Sequence, residues 1–120
     1  MLPKTRRLTK LEVPKVLRQG RGVTGSLVRL TFLPLPPTSQ NKFAVVVSKK
    51  VAPQAVDRNL IRRRAYDAIA RVPHPVSEVA VVLLFLPSTR KKIPSYKAIE
   101  RDVRALMSRV HETTLRRGRI

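Results

Sequence analysis

Between Asp57 and Val72 the sequence makes two demands that a helix can meet at once. Arg58, Arg62, Arg63 and Arg64 crowd four cations into seven residues, with Asn59 among them. Through the same stretch run Ile61, Ala65, Ala68, Ile69 and Val72. Turning about 100° per residue, a helix gathers these apolar residues on one face and wraps the basic ones around the exposed part of the cylinder. Pro53 suits a position at or before the start of this helix, which runs to about Arg71. Leu60 falls away from the apolar face, the one residue out of place. Side chains that need a polyanion are thus set on a rigid element.

The whole chain has the same bias. Its 120 residues suffice for one domain, and 26 Lys+Arg against 7 Asp+Glu give a formal net charge of +19. Such self-repulsion is useful only with a polyanionic partner, nucleic acid first and an anionic membrane surface second. The chain has no cysteine, which rules out disulfides, thiolate metal sites and Cys nucleophiles. His74 lies between Pro73 and Pro75 and reads as a loop residue; neither it nor His111 has a partner at ligand spacing. The N-terminal residues lack the apolar core of a signal peptide. The longest apolar run, Val79 to Leu86, is too short to span a bilayer, so the expected location is the cytoplasm, with no membrane partner. Two tyrosines and three phenylalanines are too few for a stacking platform to be the main binding device.

Taken in order, residues 1–8 read as an extended basic end. Thr9 and Glu12 form a capping-box pattern, predicting a short helix to about Gln19 with Leu8, Val13, Val16 and Leu17 on one side. Pro14 would then fall at the fifth helical position, unless the helix starts near Val13. Gly20 is expected in the left-handed C-terminal position, and Gly20 to Gly25 as a loop. Ser26 to Leu33 alternates as a strand with one buried face. A proline-rich connection follows, then Phe43 to Ser48 as a strand apolar on both faces and therefore central. The short link favours an antiparallel hairpin between these two strands. Glu78 to Leu86 is a third strand. Ser95 can cap a last helix with Ile99, Val103, Leu106, Met107 and Val110 as its core stripe. Residues 113–120 read as a flexible basic end. The order α-β-β-α-β-α, without repeats, predicts a single-domain α+β sandwich with a small central sheet.

No protein active site emerges. The acids Glu12, Asp57, Asp67, Glu78, Glu100, Asp102 and Glu112 are scattered. Glu100 and Asp102, two residues apart on a helix, do not share a face. Neither a two-metal carboxylate cluster nor an acid–base pair is present in the pattern. What the basic helix offers is electrostatic: arginine forks for phosphates and backbone N–H donors at the helix start.

Phe43 to Val51, with its Val47-Ser48-Lys49-Lys50 step, followed by Arg58-Asn59-Leu60-Ile61-Arg62-Arg63, resembles the signature of the bacterial ribonuclease P protein subunit. Leu2-Pro3-Lys4 and Arg7-Leu8-Thr9 resemble it too, and the likeness covers residues 1–112. The resemblance implies a protein that binds ribonuclease P RNA and precursor tRNA. Hydrolysis of the 5′ leader would be done by the RNA with Mg²⁺ that it binds. It implies a left-handed βαβ crossover, of the kind found in the second domain of a small-subunit ribosomal protein. It implies that Arg58, Asn59, Arg62, Arg63 and Arg64 face the catalytic RNA, with Lys49 and Lys50 beside them. Val13, Leu17 and Tyr66 are implied for a leader cleft between the first helix and the sheet. The family usually has basic residues where Leu60 and Tyr66 stand, and aromatics where Val13 and Leu17 sit. Two other readings share the charge: a ribosomal or other structural RNA-binding protein, and a DNA-binding architectural protein. The second lacks the expected helix-turn-helix spacing, so DNA is not an expected partner.

Overall fold

The computed structural model describes residues 7–35, 41–71, 79–86 and 93–117, the residues from 111 onward as helix backbone only. Pro3, the prolines at 36 and 37, the turn holding His74, the basic loop Arg90–Lys92 and residues beyond 117 lie outside this description. The elements are α1 (Glu12–Gln19), β1 (Arg21–Thr24), β2 (Val28–Pro34), β3 (Lys42–Val46), α2 (Ala55–Arg71), β4 (Val79–Phe85) and α3 (Tyr96–Arg117). The mixed α+β sandwich expected from the sequence is present, with one strand more.

The four strands lie in the order β1-β2-β4-β3. β4 pairs antiparallel with β2, from Val28 opposite Phe85 to Pro34 opposite Val79. On its other side it pairs parallel with β3, from Lys42 opposite Ala80 to Val46 opposite Leu84. This corrects the hairpin expected between β2 and β3. Their directions are opposed as expected, but β4 stands between them. It also corrects the central place expected for β3, which is an outer strand. The physical reason is burial: Val79 to Leu83 and Phe85 are all buried, so β4 gains most from neighbours on both sides. β1 stands where the sequence predicts a loop, because the glycines there obscure any alternation. It pairs with β2 from Arg21 opposite Phe32 to Thr24 opposite Arg29.

The two sheet faces have separate cores. On one face Val28, Leu30, Phe32, Phe43, Val45, Val79, Val81, Leu83 and Phe85 meet α2 and α3. Ile61, Ala65, Ala68 and Ile69 of α2 and Ile99, Val103, Leu106, Met107 and Val110 of α3 are buried there, the stripes read from the sequence. Each large aliphatic or aromatic side chain so buried contributes about 1.5–3 kcal/mol. On the other face α1 lays Val16 against Ala44, Ala80 and Val82.

Local devices fix the helices. The Thr9 backbone N–H donates to Glu12 Oε1 (2.9 Å) and the Glu12 N–H to Thr9 Oγ1 (3.3 Å), a reciprocal capping box. Since α1 begins at Glu12, Pro14 falls in its first turn, where a missing N–H has no intrahelical partner to lose. Gly20 is not left-handed: at φ −80° and ψ 170° it carries the chain straight into β1. Its need for glycine is steric, because a Cβ there would stand 2.5 Å from the Val16 carbonyl oxygen and 2.6 Å from that of Phe32. Ser95 Oγ accepts the Ala98 N–H at 3.2 Å, the cap expected for α3. Helix backbone runs on to Arg117, into the stretch expected to be flexible.

Asp102 ties α3 to the start of β2. Its carboxylate accepts backbone N–H groups from Ser26 (3.0 Å), Leu27 (3.1 Å) and Val28 (3.1 Å). A Cβ at Gly25 would stand 2.7 Å from both carboxylate oxygens, so glycine is needed to let the carboxylate in. Asp102→Asn, which can present only one acceptor oxygen, is expected to cost about 1–3 kcal/mol in urea denaturation. A loss of less than a few tenths would show that the three bonds are dispensable. Glu12 gives a pH signature. The Thr9 backbone bond, opposed by partial burial and helped by the Thr9 hydroxyl and Lys42, lowers its pKa from 4.5. A carboxyl with a lowered folded pKa stabilises fully above its unfolded value and loses that contribution as pH falls through the folded one. Glu12→Gln should therefore reduce the stability difference between pH 7 and pH 3, measured by thermal unfolding.

Candidate nucleic-acid interface

The basic residues of α2 divide into those that hold the fold and those that face solvent. Arg58 Nη1 donates to the carbonyl oxygens of Ala52 (3.0 Å) and Pro53 (2.9 Å), closing the turn before the helix onto its first residues. That turn, where the Val51 and Ala52 N–H groups donate to the Ser48 carbonyl, carries the exposed Lys49 and Lys50. Arg64 Nη1 donates to the Pro94 carbonyl oxygen (2.7 Å), joining α2 to the segment that leads into α3. Arg58 and Arg64 therefore have structural work that their place in a basic run did not reveal. Arg62 is braced outward: its Nη2 donates to Asn59 Oδ1 (2.7 Å) and its Nε reaches the Arg58 carbonyl (3.5 Å). Arg63 is exposed and has no hydrogen-bond or ion-pair partner among the described residues. Leu60, expected to be exposed, is half-buried.

Asn59, Arg62 and Arg63 open onto a depression of about 460 Å³ that they share with Arg7, Val45 and Tyr66. Among the described residues no carboxylate lines it. Its far wall comes from the N-terminal segment, which is not loose at residues 7 and 8. Arg7 bridges to Phe43 in parallel, and the Leu8 N–H donates to the Phe43 carbonyl at 2.8 Å, so the segment continues the sheet beyond β3. The Tyr66 hydroxyl takes the next outward-facing group of that edge, the Val45 N–H, at 3.3 Å. The Arg7 guanidinium lies over the Tyr66 ring, 5.6 Å from its centre. Sequence reasoning missed Arg7 as a site residue. It belongs to no periodic pattern, and only the apolar Leu8 before the capping box signalled that this segment could dock.

Tyr66 was expected beside Val13 and Leu17, and the structure separates them. Tyr66 packs with the core of the face carrying α2 and α3. Val13 and Leu17 belong to α1 on the opposite face. With Val16 turned into the sheet, Glu12 and Lys15 fall on one flank, beside Leu33, Leu35 and Ala80 in a shallow groove of about 170 Å³. Glu12 pairs there with Lys42 at 3.5 Å. Val13 and Leu17 turn about 60–100° the other way, toward the sheet row of Thr24, Arg29, Leu84 and Val46. Val13 is half-buried, whereas Leu17 is 42% exposed. That flank is aliphatic, with the exposed Arg29 as its cation.

Among the described residues no three His, Cys, Asp or Glu side chains are grouped to hold a metal ion, and no helix is long and apolar enough to cross a membrane. The arrangement can bind anions in a cationic depression, and it leaves an aliphatic flank beside α1.

Comparison with known proteins bears on the family and the fold. A family model described as Ribonuclease P matches residues 2–111. A ribonuclease P protein component from Clavibacter michiganensis is 27% identical over 99 residues, covering 82% of this chain and 85% of that protein. One from Synechococcus elongatus is 35% identical over 75 residues, 59% of this chain; the matched stretch spans 62% of that protein's length. The structure is similar to the RNase P protein from Thermotoga maritima, with a TM-score of 0.74 at 14% identity over 86% of this chain and 96% of that one. It is similar also to the Staphylococcus aureus protein, with a TM-score of 0.73 at 13% identity over 88% and 94%. At these identities the structural likeness is one of fold.

The division among the arginines can be tested directly. Arg63→Ala should leave the thermal midpoint unchanged while weakening binding to a structured RNA. Arg64→Ala should lower the midpoint by several degrees, because the Pro94 carbonyl loses a charge-assisted bond worth about 1.5–3 kcal/mol. Equal effects of the two on stability would remove the distinction.

Proposed function

The chain belongs to the ribonuclease P protein family, and from that premise we propose that it docks on a catalytic RNA and presents precursor tRNA for removal of its 5′ leader. The observation that carries the proposal is the cationic depression in which Asn59, Arg62 and Arg63 open together on a rigid helix. Arginine forks bind phosphate bidentately, and each phosphate neutralised releases counterions, so the docking is strongly salt-dependent. Lys49 and Lys50, exposed in the turn that Arg58 closes onto the start of α2, are proposed to extend the same surface.

The leader is proposed to run along the other face of the sheet, past Val13 and Leu17, with Arg29 near its phosphates. The side chains on that flank are aliphatic, so contacts to the leader are proposed to be apolar packing and charge rather than ring stacking. Mg²⁺ is proposed to stay with the RNA. Three of the five described carboxylates are engaged by the fold: Asp102 accepts three backbone N–H groups, Glu12 serves the capping box and Lys42, and Glu100 meets Tyr96 and Arg104; with Asp57 and Asp67 they form no group of three that could hold a metal ion. The chain's contribution to rate is then substrate affinity and screening of phosphate repulsion, in the cytoplasm where tRNA is made.

Reconstitution with a bacterial ribonuclease P RNA at low Mg²⁺ tests this. Adding the protein should restore precursor-tRNA cleavage that the RNA alone performs poorly; unchanged cleavage would overturn the reading. In the same system Arg62→Ala with Arg63→Ala should weaken docking. It should also flatten the slope of log affinity against log salt by about 0.7–0.9 for each phosphate left without its arginine.

A further inference from the structure

The depression beside Tyr66 has more structure than phosphate binding requires. Phosphate docking needs cations on a surface, whereas this hollow also contains a ring, a planar cation laid on that ring, and an apolar floor at Val45. We propose that it is a subsite for a single unpaired nucleotide, with the phosphate on Arg62 and Arg63 and the base flat against the Arg7 guanidinium. The proposal rests on the RNA-docking reading and specifies what one part of that surface takes.

Three observations carry it. The first is size: about 460 Å³ falls within the range of small-ligand pockets and is far too little for a base-paired helix. The second is the fixing of the stacking surface. Arg7 is held at its backbone by the bridge to Phe43 and at its guanidinium by the Tyr66 ring. Tyr66 is itself fixed through its hydroxyl to the Val45 N–H. The Arg7 guanidinium both lies over the ring and lines the hollow, and such planes are among the groups on which unpaired bases stack. Tyr66 is thus a positioning residue and Arg7 the contact. The third is charge. Among the described residues three arginines and no carboxylate line the hollow, and Asn59 holds one Arg62 nitrogen while leaving that guanidinium other N–H donors. A base already paired within a helix hides its faces, so the nucleotide must come from a loop, a bulge or a single strand.

The test uses the full-length chain and three probes: AMP, ribose 5-phosphate with the same charge but no base, and adenosine with the base but no charge. Binding is followed by NMR at the Arg7 Nε–Hε and the Tyr66 ring, with Tyr96, the other tyrosine, as an internal control. AMP is expected to bind at least about fivefold more tightly than ribose 5-phosphate, the increment of one base stack. Arg7→Lys keeps the charge and loses the plane, so it should bring AMP down to the affinity of ribose 5-phosphate without changing the latter. Tyr66→Leu should do the same, and Tyr66→Phe, which keeps the ring but loses the bond to the Val45 N–H, should retain a reduced AMP preference. Arg62→Ala with Arg63→Ala should weaken both phosphorylated probes. Equal affinities for AMP and ribose 5-phosphate, or an AMP preference that survives Arg7→Lys, would overturn the subsite. Docking of ribonuclease P RNA is measured in parallel, so intact docking with no AMP preference condemns the subsite alone. An AMP preference without docking supports the subsite and condemns the larger reading.

Discussion

Burial of one strand on both faces and along both edges supports the rest of the molecule. β4 has β2 and β3 as hydrogen-bonded neighbours, α2 and α3 over one face and α1 over the other. A chain with a formal charge of +19 works against its own compactness, and its cationic residues cannot help to hold it together through mutual attraction. The apolar run of β4 supplies the centre on which two separate cores are built. The parallel pairing with β3 requires a crossover between them, and that crossover is α2. The basic helix is therefore held in place by the same strand pairing that forms the sheet.

Much of this was legible in the sequence where periodicity is strong. The stripes of α2 and α3, the Thr9–Glu12 box and the Ser95 cap are local patterns, and each appears where its residues predict. What failed was non-local. The sequence distance between β2 and β3 suggested neighbours, but strand order depends on which strand buries most, and β4 competes from far along the chain. β1 was hidden by glycines required for close approach: Gly20 to the Val16 and Phe32 carbonyls, Gly25 to Asp102. Asp102 looked like a scattered acid because its partners lie 74 to 76 residues away.

The candidate site shows the same limit. A run of arginines reads as one surface, yet the structure divides it. Arg58 and Arg64 satisfy carbonyls at the two ends of the helix's surroundings, and Arg62 and Arg63 remain outward. Composition reports charge but not which cations the fold uses for itself. Conversely, Arg7 joins the site from a segment with no periodic signature, because β3 needed a partner along its outer edge.

That edge has a consequence for how the protein behaves in solution. β3 carries Phe43, Ala44 and Val45, all buried, and an uncovered strand of this composition is a template for pairing with another chain. Residues 7 and 8 and the Tyr66 hydroxyl occupy its outward groups at Phe43 and Val45. Cutting the chain just after Leu8, or attaching a bulky fusion there, would leave an apolar strand with open hydrogen-bonding groups. Colloidal stability and the shape of the cationic depression thus depend on the same two residues, so a preparation that loses them to proteolysis would lose a wall of that depression as it became sticky.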